Sequence, residues 1–175
     1  EPGEVHRVLD LCTGSGCIAI ATALALPHVQ VDAVDICAEA LKIAQKNVTD
    51  YGLTQRVRLV HADLFSGLRG ERYDLILSNP PYVSEGEMAV LPPEYRHEPA
   101  LGLYADDEGL AIVWRILKEA ANFLTPQGVL MVEVGNREAV LQDQFPNLPF
   151  TWLEFEHSEG GVFLLTCEQL NEINA

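Results

Sequence analysis

Apolar blocks alternate with polar turns along the chain and predict strands and helices in regular succession. Short apolar runs predict strands, and apolar residues at helical spacing predict helices. The predicted strands are residues 8–12, 29–35, 57–61, 74–77, 128–134, 150–156 and 162–166, and the predicted helices are residues 17–26, 38–51, 108–124 and 138–145. This alternation predicts an α/β fold with a mostly parallel sheet covered on both faces. The turn at residues 158–161 predicts that the last two strands form a C-terminal antiparallel hairpin.

The fourth predicted strand ends in the segment Ser78-Asn79-Pro80-Pro81-Tyr82. Two consecutive prolines cannot donate hydrogen bonds to a sheet, and they fix φ at about −65°. The residue before a proline is held in an extended conformation. Because ligands bind at the carboxyl ends of strands in open α/β sheets, we interpret this elbow as a reaction site rather than as a plain rigid turn.

A planar amino group suits the chemistry of the elbow. The Asn79 side-chain oxygen and the Pro80 carbonyl can accept its two hydrogens, and the Tyr82 ring can stack on its plane. The prolines set this geometry in advance, so less order must be created when the substrate binds. By itself the elbow suits a glutamine side-chain amide and the exocyclic amino group of adenine in DNA or RNA equally well.

A glycine loop lies between the first predicted strand and the first predicted helix. Gly14 and Gly16 permit a tight turn and a close approach of the backbone to a ligand. Asp35 ends the next strand, where a carboxylate can bind ribose hydroxyls. The pattern predicts a site for an adenosine cofactor, and dinucleotides fit it as well as other such cofactors. Asp10 is interpreted either as part of this site or as a cap of the helix or a hydrogen-bonded acid in the core.

Asp63 follows the third predicted strand and has two interpretations. Its carboxylate can accept a hydrogen bond from the amino group of an adenine, or it can form the N-cap of a short segment at residues 64–68. Leu64 can pack on a purine face or belong to the core. Residues 83–107 have no clear period and predict a long loop of the kind that often carries function.

The charge of the chain favours a protein partner over a nucleic acid. The 175 residues contain eleven Lys and Arg against twenty-six Asp and Glu, and the formal net charge is −15. Phosphate backbones need neutralising cations, so direct nucleic-acid binding by this domain is not expected. An acidic surface attracts a basic partner and speeds encounter with it, although acidity that serves solubility alone is an equally good interpretation.

The cysteines and the hydrophobic runs indicate in which cellular compartment the protein is expected. None of the four cysteines forms a Cys-x-x-Cys pair, so we expect reduced thiols in the cytoplasm and no metal site. No apolar run is long enough to span a membrane, and we expect neither membrane association nor a signal peptide.

Four segments together resemble class I S-adenosylmethionine-dependent methyltransferases that modify amino nitrogens. They are Asp10-Leu-Cys-Thr-Gly-Ser-Gly16, Ala33-Val-Asp35-Ile, Ala62-Asp-Leu-Phe65 and Ser78-Asn-Pro-Pro-Tyr82. Within this class the chain is similar to the glutamine amide methyltransferases of the HemK/PrmC type. It is closest to the branch that modifies a glutamine of the large-subunit ribosomal protein L-three. Cys12 favours that branch, because the branch that modifies release factors usually has glycine there.

The resemblance implies a Rossmann-like catalytic domain over residues 1–175, with seven strands and a reversed hairpin. It also implies an N-terminal substrate-recognition domain that this chain lacks. The expected reaction moves a methyl group from S-adenosylmethionine, without a metal, to a glutamine of a basic ribosomal protein and leaves S-adenosylhomocysteine. A release-factor glutamine and an adenine amino group are the alternatives. The oligomeric state stays open.

The resemblance also implies the site residues. Those expected to bind the cofactor are Asp10, Cys12, Thr13, Gly14, Gly16, Asp35, Ile36, Asp63, Leu64 and Asn79. Those expected to bind the substrate are Asn79, Pro80, Pro81, Tyr82 and Glu98, of which Asn79, Pro80 and Tyr82 are assigned to catalysis. For Glu98 and its neighbour His97, a plain position on the surface of the loop is the alternative.

Overall fold

A computed structural model describes residues 4–81, 110–154 and 161–173 of the chain. The strands in these ranges are β1 (Arg7–Leu11), β2 (Gln30–Asp35), β3 (Val57–His61), β4 (Tyr73–Ser78), β5 (Leu124–Glu133), β6 (Thr151–Leu153) and β7 (Val162–Thr166). The helices are α1 (Cys17–Ala25), α2 (Ala38–Asp50), α3 (Ala111–Glu119), α4 (Glu138–Gln144) and α5 (Cys167–Ile173), and a 3-10 turn at Ala120–Asn122 follows α3.

The strands form one sheet in the order β3-β2-β1-β4-β5-β7-β6. The pairs from β3 across to β5 are parallel, whereas β7 runs antiparallel to both β5 and β6. The predicted α/β sheet with an antiparallel C-terminal hairpin is therefore confirmed. Because β1 to β5 run in the same direction, their carboxyl ends all lie at one edge of the sheet.

The sheet buries a hydrophobic layer on each face. On one face, α1 and α2 pack against residues of β1, β2 and β3 such as Val8, Val31 and Ala33. On the other face lies a larger cluster that includes α3 and α5, with Val113 and Ile116 of α3 fully buried. The alternation of side chains along each strand explains why neighbouring residues enter different layers. The core holds the strand ends in fixed positions.

The helix predicted at residues 108–124 ends earlier than expected. It stops at Glu119, and β5 begins at Leu124 instead of 128 and continues through Pro126. The register between β4 and β5 is irregular between Tyr73 and Leu75, and such an irregularity accommodates a proline that cannot donate to the ladder. Pro126 follows an apolar stretch with helical spacing, and this position did not predict a bulge within a strand.

The sequence pattern missed α5 because the helix is short and mostly polar. Its signal is a capping box, Thr166-x-x-Gln169. The Gln169 amide donates to Thr166 Oγ1 at 3.2 Å, and the Thr166 amide donates to Gln169 Oε1 at 2.8 Å. Cys167 and Leu170 supply the buried side.

A buried carboxylate ties together the amino-terminal halves of four strands. Asp32 is 6% exposed, and its oxygens accept hydrogen bonds from Arg58 Nε and Nη2 at 2.7 Å each. It also accepts from Arg7 Nη2 at 2.9 Å and from the Tyr73 hydroxyl at 2.7 Å. Burial acts to raise the pKa of Asp32, but the hydrogen bonds from Arg58 and Tyr73 and the two guanidinium charges outweigh it, so this pKa lies below the ordinary value of 3.8.

A second buried carboxylate supports the start of α1. Asp10 is fully buried, and its Oδ2 accepts from Thr13 Oγ1 at 2.5 Å and from the Ala19 amide at 3.1 Å. Asp10 Oδ1 is buried without a partner among the described residues. Burial dominates here and raises the pKa of Asp10 to about 7; the two hydrogen bonds lower this pKa, and the charge of Asp35 raises it.

We predict that Asp32→Asn lowers the free energy of unfolding by about 1–3 kcal/mol near neutral pH, because the variant loses charged hydrogen bonds. The depressed pKa means that the contribution of Asp32 is present above about pH 4 and is lost as pH falls through the folded-state pKa. The difference between wild type and variant, measured by urea unfolding, should therefore shrink on acidification. Asp50→Asn in an exposed pair is the control and should cost little. A difference that persists in acid would contradict this.

For Asp10→Asn we predict the opposite pH trend. A carboxyl whose pKa is raised on folding contributes stability that is fully present below its unfolded pKa and is lost as pH rises through the folded pKa, here about 7. The variant cannot ionise, so its melting temperature relative to wild type should increase between about pH 5 and about pH 8. Thermal unfolding followed by circular dichroism measures this difference, and a difference independent of pH would refute the assignment.

Candidate active site

The loops that follow β1, β2, β3 and β4 are joined into one surface at the carboxyl edge of the sheet. The Thr13 amide donates to the Val34 carbonyl at 3.0 Å, and the Ala62 amide donates to the Asp35 carbonyl at 3.1 Å. The Ser78 hydroxyl donates to the Leu11 carbonyl at 3.0 Å. The four segments that carried the sequence motifs therefore lie next to one another.

The loop after β1 has three residues with left-handed backbone: Cys12 at φ 60°, Gly14 at φ 56° and Gly16 at φ 83°. A Cβ on Gly14 would meet no atom within 4 Å, so this part of the loop is open. A Cβ on Gly16 would lie 3.3 Å from the Cβ of Ala44, so Gly16 lets α1 pack closely against α2. Position 12 has a backbone conformation that favours glycine, and cysteine occupies it in this chain.

Asp10 and Thr13 lie beneath the loop instead of lining its open side. Asp10 is fully buried and Thr13 is nearly so, and their mutual hydrogen bond holds the loop against the N-terminus of α1. Asp10 accepts from Ala19, the third residue of α1, as an N-cap side chain does. Asp10 thus accepts a hydrogen bond from the first turn of α1, whose N-cap residue is Gly16.

Asp35 fastens the glycine loop to the start of α2. Its Oδ2 accepts from the Gly14 amide and its Oδ1 accepts from the Cys37 amide, both at 2.8 Å. Asp35 stays partly exposed, and each carboxylate oxygen can accept a further hydrogen bond. The next residue, Ile36, is 58% exposed, and His61 Nε2 lies 2.9 Å from its carbonyl oxygen.

Asp63 does not form the N-cap that one interpretation predicted. Residues 64–67 form turns and residue 68 has no regular structure, so there is no helix here, and the Ser66 amide donates to the main-chain carbonyl of Asp63. The Asp63 side chain instead forms an ion pair with Arg115 of α3 at 2.9 Å. Leu64 has a left-handed backbone at φ 47° and packs in the larger core cluster. Sequence reasoning missed Arg115, because nothing in the pattern of α3 indicates a partner so far away in the chain.

The elbow after β4 turns one polar side chain outward. Ser78, Pro80 and Pro81 are buried, whereas Asn79 is exposed. The Asn79 side chain has no hydrogen-bond partner among the described residues. Tyr82, His97 and Glu98 lie outside the described residues.

Carboxylates converge on the thiol of Cys12. Burial is the main reason why the pKa of this thiol is raised to about 12, and the charges of Asp35, Asp10 and Asp63 add to it, while a hydrogen bond with Ser78 lowers it. The thiol therefore stays protonated at neutral pH. The negative charges of all three carboxylates thus oppose ionisation of this one thiol.

These residues fit an adenosine cofactor. The loop is open at Gly14, Asp35 and Asp63 present carboxylates at the strand ends, and the exposed Ile36 offers an apolar surface beside them. In the part of the chain that the structure covers, no three His, Cys, Asp or Glu residues are placed to hold a metal ion. Nor does any helix in that part have the length and apolarity to cross a membrane.

Curated relatives share close sequence similarity with the chain. A protein of Neisseria meningitidis named ribosomal protein uL3 glutamine methyltransferase is 55% identical over 95% of this chain and 54% of its own length. A protein of Bordetella pertussis with the same name is 47% identical over 98% of this chain and 57% of its own length. The chain thus spans about half the length of the curated relatives it matches. Their names confirm the predicted resemblance to the branch that modifies protein L-three, here called uL3.

A solved structure shares the fold. The S-adenosylmethionine-dependent methyltransferase SibL in its apo form is 21% identical, covers 94% of this chain and 51% of its own, and superposes with a TM-score of 0.60. The fold predicted from the resemblance, that of class I S-adenosylmethionine-dependent methyltransferases, is confirmed. Residues 2–91, which include the glycine loop and the elbow, match the model of the methyltransferase small domain family, so the chain belongs to that family.

Proposed function

We propose that this protein transfers a methyl group from S-adenosylmethionine to the side-chain amide nitrogen of a glutamine in ribosomal protein uL3. The observation that carries the proposal is the exposed Asn79 at the end of β4, beside the open glycine loop at the end of β1. The names of the curated relatives support the reaction and the substrate.

The loops at the sheet edge divide the binding of the cofactor among them. Cys12 and the open Gly14 contact its methionyl end, and Asp35 accepts from the ribose. Ile36 and Leu64 contact the adenine, and Asp63 accepts from its amino group. Asp10, Thr13 and Gly16 hold the loop in shape from below. The cofactor supplies a methyl group on a positively charged sulfur.

The elbow acts by alignment of the substrate amide. The side-chain oxygen of Asn79 accepts one hydrogen of the glutamine –NH2, and the Pro80 carbonyl accepts the other. An amide nitrogen is a poor nucleophile because its lone pair is delocalised, so orientation and acceptor dipoles near the developing positive charge supply the rate. The nitrogen loses one of its two protons during or after the transfer, which leaves a neutral methylated amide. Pro81 stiffens the turn, Tyr82 covers the amide plane, and Glu98 contributes to the substrate entrance.

The electrostatics favour a protein substrate over a nucleic acid. The net charge of −15 repels phosphate and attracts a basic ribosomal protein. Residues 1–175 act as the catalytic domain in the cytoplasm, and a separate N-terminal domain contributes to recognition of the substrate. A release-factor glutamine and an adenine amino group are the competing acceptors, and assays with each of them separate the three.

We predict that Asn79→Ala abolishes methyl transfer and leaves the affinity for S-adenosylhomocysteine within about threefold of wild type. Loss of an acceptor dipole at the reacting nitrogen should cost at least about 100-fold in kcat. Calorimetry measures the affinity, and transfer of radiolabelled methyl to uL3 measures the rate.

Asn147→Ala is the matched control, because Asn147 is an exposed asparagine in the loop that follows α4, away from the elbow. It should keep both the rate and the affinity of wild type. Normal turnover by the Asn79→Ala variant would overturn the proposed function.

A further inference from the structure

Arg115 carries a charge into the proposed adenine end of the site, although no part of the methyl-transfer mechanism uses it. Its Nη2 lies 2.9 Å from Asp63 Oδ2. This pair joins α3 to the end of β3 across 52 positions of the chain. The two side chains are 48% and 47% exposed, and ion pairs at such exposure add about 0–1 kcal/mol to stability. The fold therefore gains little stability from the pair, which lies just after the carboxyl end of β3, at the edge that holds the proposed cofactor site.

Both ends of the ion pair are fixed to well-packed elements. The neighbours of Arg115 on α3, namely Val113, Ile116 and Leu117, are fully buried. Asp63 follows Ala62, whose amide donates to the Asp35 carbonyl, and precedes the buried Leu64. The guanidinium thus comes from a packed helix to a carboxylate on a turn between packed residues, and the ion pair holds one of the carboxylate oxygens.

The ion pair uses only one of the two carboxylate oxygens. Asp63 Oδ2 accepts from Arg115, whereas Oδ1 has no hydrogen-bond partner among the described residues. The negative charge of Asp63 is paired with the guanidinium of Arg115. Arg115 neutralises this charge and leaves one oxygen free to accept from a neutral donor.

We propose that Arg115 is a positioning residue that orients Asp63 for recognition of the 6-amino group of adenine and so sets the selectivity for the base of the cofactor. This inference rests on the proposed function, because it takes an adenosine cofactor at this edge of the sheet. A carboxylate held in advance loses less side-chain freedom on binding. A site that accepts from an amino group also rejects a base that presents an oxygen there.

The test compares S-adenosylhomocysteine with S-inosylhomocysteine, which has an oxygen in place of the 6-amino group. Calorimetry gives the ratio of the two affinities for each variant. Wild type should prefer the adenosine ligand by about tenfold or more, since one hydrogen bond to a charged group separates the two ligands. Arg115→Met should reduce this ratio by about threefold, the effect of freeing one side chain, while Arg115→Lys should restore part of it.

Two controls separate orientation of Asp63 from a merely structural role. Lys46→Met removes the exposed Lys46–Asp50 pair on α2 and should leave the ratio unchanged. Asp63→Asn should largely remove the preference, and adding Arg115→Met to it should then have no further effect on the ratio. A structural role alone would lower both affinities equally and shift the melting temperature.

The outcomes separate this inference from the function on which it rests. A wild type that binds neither ligand overturns the cofactor site and the inference together. A wild type that prefers the adenosine ligand, with an unchanged ratio in Arg115→Met or with an equal loss in the Asp63→Asn background, overturns the inference alone. A smaller ratio in Arg115→Met that disappears in the Asp63→Asn background supports it.

Discussion

The parallel pairing of β4 with β1 is the constraint on which the site depends. The register places Ser78 opposite Leu11, and the Ser78 hydroxyl binds the Leu11 carbonyl. Asn79 follows Ser78 and Cys12 follows Leu11, so these two residues leave the sheet on neighbouring strands. Neighbouring strands lie about 4.8 Å apart. A slip of one residue would exchange the faces of every side chain on β4 and bury Asn79 where Ser78 now lies. The elbow and the glycine loop meet because of this register.

Two buried aspartates have different roles, one in the stability of the sheet and one beneath the proposed site. Asp32 lies in the amino-terminal half of β2, surrounded by Arg7, Arg58 and Tyr73, and its pKa is lowered. Asp10 lies at the carboxyl end of β1 under the glycine loop, and burial raises its pKa. The charge of Asp32 is compensated by two guanidinium groups and lies far from the proposed chemistry. The burial of Asp10 disfavours its charged form, and this residue supports the glycine loop. Structures commonly place unfavourable electrostatics at functional sites in this way.

Much of the fold could be predicted from the sequence, because its strands and helices follow the hydrophobic period. The strand at residues 57–61 and the strand at 162–166 have the predicted bounds. Pro126 inside β5 could not be predicted, since the bulge arises from the pairing of two distant strands. The α5 helix was missed although Thr166 and Gln169 form a local capping box, because its apolar positions are few.

The candidate site divides along the same line. Gly14, Asp35 and Asn79 could be predicted as site residues from short motifs, because the backbone conformation and the strand end that each of them needs depend on neighbouring residues in the sequence. The sequence left open whether Asp10 binds the cofactor, caps a helix or lies in the core, and the fold shows a buried Asp10 that accepts from the Ala19 amide. Arg115 became visible only when the fold brought α3 to the end of β3. Contacts between segments that are distant in the chain could not be predicted from a single sequence.

The elbow is proposed to present a glutamine amide of uL3 to a methyl donor. Mass spectrometry of unmethylated uL3, incubated with the complete protein and S-adenosylmethionine, tests it most directly. We expect one added methyl group, located by fragmentation on the side-chain nitrogen of a glutamine. A methyl group on another residue type, or on adenine in ribosomal RNA while uL3 stays unmodified, would contradict it.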